Sequence, residues 1–187
     1  MARTLTHQIP LGFIAPPFEL PDVVSAKLTT FSEVKGDAGT VVVFMCNHCP
    51  FVVHILDRFI DVAREYLPKG IGFVAISSND VVNYPADHPD KMRDLALTMG
   101  FPFAYLYDED QSVARAYDAA CTPDFNVFDA DDRCVYRGQF DASRPGNDHP
   151  VTGADLAAVL DLLLRGAHPS PENQIPSMGC NIKWKPA

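Results

Sequence analysis

Two cysteines spaced C-x-x-C, Cys46 and Cys49, with Asn47 and His48 between them and Pro50 behind, are the residues of this 187-residue chain best suited to chemistry. A thiolate, not a thiol, attacks disulfides and peroxides and ligates metals. A structural zinc site would need two further ligands, usually a second C-x-x-C or a paired histidine. The other cysteines, Cys121, Cys134 and Cys180, stand singly. The expectation is therefore a redox-active Cys46–Cys49 disulfide with no metal and no other cofactor. Asn47 and His48 shape the site, unless His48 is simply a solvated loop histidine.

The elements around the pair decide how reactive it is. Thr40 to Met45 is an uninterrupted apolar run, which reads as a buried strand covered on both faces. From Pro50 to Leu67 apolar residues recur at Val52, Ile55, Leu56, Phe59, Ala63 and Tyr66, one stripe of a helix. Pro50 suits the first helical turn, where a missing N–H costs nothing. The thiols thus sit where a strand gives way to a helix N-terminus. Unpaired N–H groups and the helix dipole there are expected to lower the pKa of Cys46. At the ordinary value of about 8.5, roughly 3% of a thiol is ionised at pH 7. A fall to about 7 raises that roughly sixteen-fold, and lost nucleophilicity leaves about a three-fold gain in attack. The larger gain is a better leaving group, so the site suits reversible exchange. Cys46 is expected to be the more exposed nucleophile and Cys49, a turn further in, the resolving thiol.

Composition narrows the remaining classes. Apolar content of 47% and charged content of 21% are ordinary for a globular protein. A net charge of −9 argues against nucleic acid or an anionic membrane as the partner. Residues 1–10 carry no apolar signal core, and no stretch approaches 18 apolar residues. The expected location is cytoplasmic, where five cysteines do not build a static disulfide framework.

Along the chain, one domain over 1–187 is expected. Residues 1–39 form an N-terminal extension, with short extended pieces at 18–20 and 27–30 and a helical turn at 31–34 capped by Ser32. After the helix, Ile71 to Ser77 reads as a second buried strand, completing a βαβ unit. A polar loop from Ser78 to Asp87 follows, then a helix from Pro89 to Gly100, a strand at 103–107 and a helix over 110–119. Residues 125–128 and 133–136 flank a turn and form an antiparallel hairpin. Thr152-Gly153-Ala154-Asp155 has the form of a capping box opening a last helix, stopped by Gly166. Residues 167–187 are proline-rich and aperiodic, an irregular C-terminal tail.

Cys46-Asn47-His48-Cys49-Pro50 together with Cys121-Thr122-Pro123 resembles the thioredoxin superfamily. Within it, the lead-in Leu11 to Leu20, the stretch Tyr136 to Gly146 and the segment Gly179 to Lys185 are similar to the peroxiredoxin-like (AhpC/TSA, redoxin) subgroup that carries C-x-x-C. The element order agrees: an α/β thioredoxin-like fold, a central mixed sheet flanked by helices, with the N-terminal extension and an insertion after the second core strand. The resemblance implies that Pro123 is a cis proline facing the disulfide, and that Thr122 offers backbone groups to an incoming substrate strand. A histidine before the second cysteine also occurs in strongly oxidising disulfide catalysts, which implies a potential above thioredoxin's value of about −270 mV.

The expected function is thiol–disulfide exchange. Its partners are protein or small-molecule disulfides and a thiol electron donor. The first alternative is a thiol peroxidase consuming hydroperoxides, but peroxiredoxins carry P-x-x-x-T-x-x-C. Laid on Cys49, that motif finds Cys46 at the threonine position and Val42 at the proline position. A further alternative is a non-catalytic dithiol that senses redox state or holds a metal. Three residues are candidate accessories. Cys121 is either a third redox thiol or a small buried residue, and Cys134 is core. Arg144 is either a positive charge for peroxide or a loop arginine. Cys180 is either an extra resolving thiol, if the tail folds back, or part of a tail that covers surface with Ile182 and Trp184. Asn79, Asp80 and His88 are candidates for the rim of the site.

Overall fold

A computed structural model describes residues 3–172 and 174–186. Met1, Ala2, Asn173 and Ala187, which belong to the expected extension and tail, lie outside the described residues. In chain order the strands and helices are β1 (Arg3–Leu5), β2 (Glu19–Pro21), β3 (Leu28–Thr30), α1 (Phe31–Val34), β4 (Gly39–Phe44), α2 (Pro50–Tyr66), β5 (Ile71–Ser77), α3 (Pro89–Met99), β6 (Ala104–Tyr107), α4 (Ser112–Ala116), β7 (Cys121–Thr122), β8 (Asp124–Phe128), β9 (Cys134–Gly138), α5 (Ala154–Leu164) and β10 (Met178–Asn181). Turns of 3-10 helix follow α2 at Leu67–Lys69 and precede α3 at Pro85–Asp87. Among the described residues no helix is long and apolar enough to cross a membrane.

The central sheet has the order β6-β5-β4-β8-β9. β4 runs parallel to β5 and antiparallel to β8, so the sheet is mixed, as expected. Successive side chains of a strand point to opposite faces. Val41 and Val43 accordingly join Ile55, Phe59 and Leu160 on one face, while Val42 and Phe44 join Phe18, Phe31 and Tyr117 on the other. That double covering is why the run carries no polar alternation. The N-terminal extension, whose β2 and β3 form an antiparallel pair, covers part of the second face.

Helix α2 buries Val52, Ile55, Leu56, Phe59, Ile60, Val62, Ala63 and Tyr66. Each large side chain among them is worth about 1.5–3 kcal/mol relative to exposure, so this face, rather than helix propensity, seats the helix. Phe59 is its centre, with the rings of Phe103 and Phe125 at 5.2 and 5.4 Å. The start of α2 is thereby held rigidly at the end of β4.

Four local expectations are corrected. Thr30, not Ser32, caps α1: the Glu33 carboxylate accepts from Thr30 N and Oγ1 at 2.7 and 2.8 Å. The Thr152–Asp155 capping box does not form. Gly153 is the N-cap, in the left-handed conformation, because the Asp141 carboxylate takes the N–H groups of Thr152 and Gly153 at 2.7 Å each. A distant side chain thus does what a local cap would have done. Helix α4 spans five residues rather than the ten of 110–119.

The fourth correction bears on function. The C-terminal tail is not irregular throughout. Its β10 lies between β1 and β7 in a second, antiparallel sheet, with Cys180 opposite both Arg3 and Thr122. Neither β10 nor the three-residue β1 has a periodic apolar pattern, since their pairing comes from backbone groups far away in sequence.

Candidate active site

Cys46 follows the end of β4, and Cys49 is the N-cap of α2, with Pro50 in the first turn. Their solvent exposure is 1% and 0%, so Cys46 is not the exposed member of the pair. Opposite them stands the junction of β7 and β8, where the Thr122–Pro123 peptide bond is cis, as the resemblance implied. Thr122 faces both sulfurs. Its Oγ1 is 3.5 Å from Cys46 Sγ, and its carbonyl oxygen is 3.1 Å from Cys49 Sγ.

Charge is distributed across the pair against expectation. The Cys49 thiol is drawn down to about 4, first by its hydrogen bond with Cys46 and further by those with Cys180 and Thr122. Cys46 is pushed up by its hydrogen bond with Cys49, by burial and by the negative charge of Asp87. The reason is positional. Cys49 is hydrogen-bonded to the sulfurs of both Cys46 and Cys180, while Cys46 faces the Asp87 carboxylate. Both shifts favour the negative charge on Cys49 over Cys46.

Asp87 is the residue that the sequence reading passed over. It is fully buried. Its Oδ1 accepts from the N–H groups of Asn47 and His48 at 2.9 and 3.4 Å, and its Oδ2 accepts from Asn79 Nδ2 at 2.8 Å. The His48 Nδ1 is 2.7 Å from the same Oδ2 and 3.9 Å from Cys46 Sγ, and the imidazole stacks on Tyr84. His48 is thus an oriented group of the site and not a solvated loop residue. Asn47 is held equally firmly: its Oδ1 accepts from the Tyr105 hydroxyl at 3.1 Å and its Nδ2 donates to Ala86 O at 3.0 Å. Nothing in the polar loop from Ser78 to Asp87 separates Asp87 from Asp80 by sequence. Only the fold turns one inward to the dithiol.

The rim candidates divide. Asn79 is buried and bridges Asp87 to the tail, accepting from Lys183 N at 2.8 Å. Asp80 receives no such role at the sulfurs; its N–H donates to Lys183 O. His88 caps α3 by accepting from Asp90 N. Cys46 Sγ, His48 Nδ1 and a carboxylate oxygen of Asp87 lie within 4.8 Å of one another, a set able to ligate a metal. Those atoms are already committed to each other and to the neighbouring N–H groups.

The accessory residues also divide. Cys121 is buried against Thr6 and the Pro123 carbonyl, and burial pushes its thiol far up. Cys134 belongs to the opposite face of the sheet, as expected, with its thiol pushed up to about 12 by burial. Arg144 is spent on its own loop, donating to the carbonyls of Asp141 and Ser143 and to Gln139 Oε1. Cys180, by contrast, is brought to the site: its Sγ lies 2.9 Å from Cys49 Sγ. The edge of β7 at Thr122 is correspondingly taken by β10, and so is not open to an incoming strand.

A mixed sheet with a dithiol at a strand–helix junction and a cis proline opposite defines the thioredoxin-like fold. A thiol:disulfide interchange protein of the thioredoxin family from Chlorobium tepidum shares it, with a TM-score of 0.64 at 18% identity over 84% of this chain and 99% of that one. Residues 11–138 match the AhpC/TSA family, and the chain belongs to that family. No curated protein matches it. Among solved structures, it is similar to an uncharacterised conserved protein of Geobacillus kaustophilus at 54% identity, covering 100% of this chain and 98% of that one with a TM-score of 0.97. It is also similar to a hypothetical protein of Sinorhizobium meliloti at 44% identity, covering 98% and 100%, with a TM-score of 0.95.

Proposed function

We propose that the chain is a thiol–disulfide oxidoreductase that exchanges disulfides through Cys46 and Cys49. The observation that carries this reading is the hydrogen-bonded pair of thiols at the start of α2, both facing Thr122. The Cys49 thiolate attacks one sulfur of a substrate disulfide, forming a mixed disulfide and expelling the other half as a thiolate. Cys46 then attacks Cys49 Sγ, its proton passing to the second leaving sulfur. The products are two substrate thiols and the Cys46–Cys49 disulfide, which a thiol donor returns to the dithiol. No cofactor beyond that disulfide is needed.

Turnover of oxidised glutathione with dithiothreitol as donor tests this. The wild type should turn over and Cys49→Ser should be inert. Undiminished turnover in Cys49→Ser, or none in the wild type, overturns the reading.

One observation favours a second reading, reduction of hydroperoxides. All three sulfurs of the site are nearly closed to solvent, and the β7 edge is occupied, which suits an oxidant of few atoms. Against it stand the residues that replace the peroxidatic threonine and proline, and an Arg144 tied to its own loop. Hydroperoxide consumption by the same proteins separates the two. Stoichiometric zinc or copper in the purified protein, with neither turnover, would instead make the dithiol a binding module.

A further inference from the structure

We infer that Cys180 is a third redox thiol of this site, and that Cys49 alternates between a disulfide with Cys46 and a disulfide with Cys180. This rests on the exchange reading above and adds a residue that the C-x-x-C does not contain.

Four observations converge on it. The two sulfurs are 2.9 Å apart, inside van der Waals contact, and a bond of about 2.05 Å needs under about 1 Å of movement. Cys49 is hydrogen-bonded to both Cys46 and Cys180, so it is the shared sulfur of the trio. Strand β10 is seated on β7 with Cys180 opposite Thr122, the residue before the cis proline. The tail therefore occupies the place that the resemblance implies for a substrate strand and presents a cysteine there. Finally, the strand is built for close approach. A Cβ on Gly179 would stand 1.8 Å from the Thr122 carbonyl oxygen, so only glycine lets the backbone come this near. On its other edge β1 holds β10 in place, Arg3 opposite Cys180. A cysteine that merely filled space would need neither the glycine nor a sulfur in contact with a thiolate.

The exchange is internally balanced. Starting from the Cys46–Cys49 disulfide, Cys180 Sγ attacks Cys49 Sγ. The Cys49–Cys180 bond forms, the Cys46–Cys49 bond breaks, and its electron pair leaves on Cys46, which takes up the proton that Cys180 gives up. One disulfide replaces another, with no outside oxidant or reductant. Thr122 Oγ1 and His48 Nδ1 flank the leaving Cys46 sulfur. The result staples the tail to the start of α2 and leaves Cys46 reduced.

The test is non-reducing peptide mapping after oxidation with oxidised glutathione, acid quench and alkylation. Cys46 and Cys49 lie on one tryptic peptide and Cys180 on another, so the linkages are distinct. In Cys46→Ser, the Cys49 peptide should be joined to the Cys180 peptide in most molecules. In the wild type both linkages should be present, in a ratio that does not change with the glutathione redox ratio. Gly179→Ala, which displaces β10 without removing a thiol, should cut the Cys49–Cys180 linkage at least ten-fold while retaining Cys46–Cys49. Cys46→Ser ending only as a glutathione adduct or an intermolecular dimer overturns the inference, as does a wild type that yields Cys46–Cys49 alone. A Cys49–Cys180 linkage in a protein with no disulfide turnover would instead overturn the exchange reading and leave the linkage standing.

Discussion

The carboxylate of Asp87 lies 2.7 Å from Nδ1 of His48, and through that imidazole and its own charge it faces the Cys46 sulfur from a position closed to water. Its negative charge raises Cys46 and so disfavours a second thiolate in the reduced pair. Asp87→Asn removes the charge and keeps the shape. The Cys46 thiol should ionise more easily. A fall of about one pKa unit raises its small thiolate fraction at neutral pH about ten-fold, and lost nucleophilicity leaves about a three-fold gain in attack on a mixed disulfide at Cys49. Rapid-quench kinetics of mixed-disulfide resolution measure it, and an unchanged or slower rate would refute the role given to Asp87.

The thiolate assignment to Cys49 has a pH signature. Its folded pKa is lowered, so the thiolate is present above that value and is lost as pH falls through it, near 4. An ordinary thiol at pH 6 is under about 1% ionised. The ultraviolet absorbance of the reduced protein should therefore report one thiolate per chain from about pH 5 to pH 8. Cys49→Ser should lose that signal. A titration centred above pH 8 in the wild type would show that no such thiolate exists.

If Cys180 bonds to Cys49, the closed loop is long, since the two cysteines are 131 positions apart. Chain-entropy arguments give about 5 kcal/mol for a loop of that size and only about 2 kcal/mol for the ring closed by Cys46 and Cys49. Oxidised Cys46→Ser should thus resist denaturant more strongly than its reduced form, by up to about 5 kcal/mol. Superimposable urea curves for the two forms would contradict the staple.

Phe59 tests how the scaffold holds the site. Its ring is buried among Phe73, Phe103, Phe125 and Phe140. Phe59→Ala should cost about 3–5 kcal/mol of unfolding free energy, measured in urea. A loss below about 1 kcal/mol would mean that α2 is not seated through this residue.

Much of the scaffold was legible because its signals are local. The double-faced run of Val41 to Phe44, the 3.6-residue stripe from Val52 to Tyr66, and the turn between β8 and β9 each carry their period in the sequence. The errors at α1 and α5 were of another kind. At α1 the capping chemistry belonged to the neighbouring Thr30, and at α5 the distant carboxylate of Asp141 displaced the apparent capping box.

By itself, the sequence determined the strand–C-x-x-C–helix order, and by family likeness the facing Thr122–Pro123. Residues adjacent in the chain are constrained by covalent spacing, so a motif can announce them. Tertiary structure alone decided three things: which cysteine carries the charge, that Asp87 faces Cys46, and that Cys180 meets Cys49. Each depends on burial or on a distance between segments some 40 to 130 positions apart. Electrostatic and covalent reactivity respond to separation in space, and no spacing along the chain encodes a 2.9 Å contact across 131 positions.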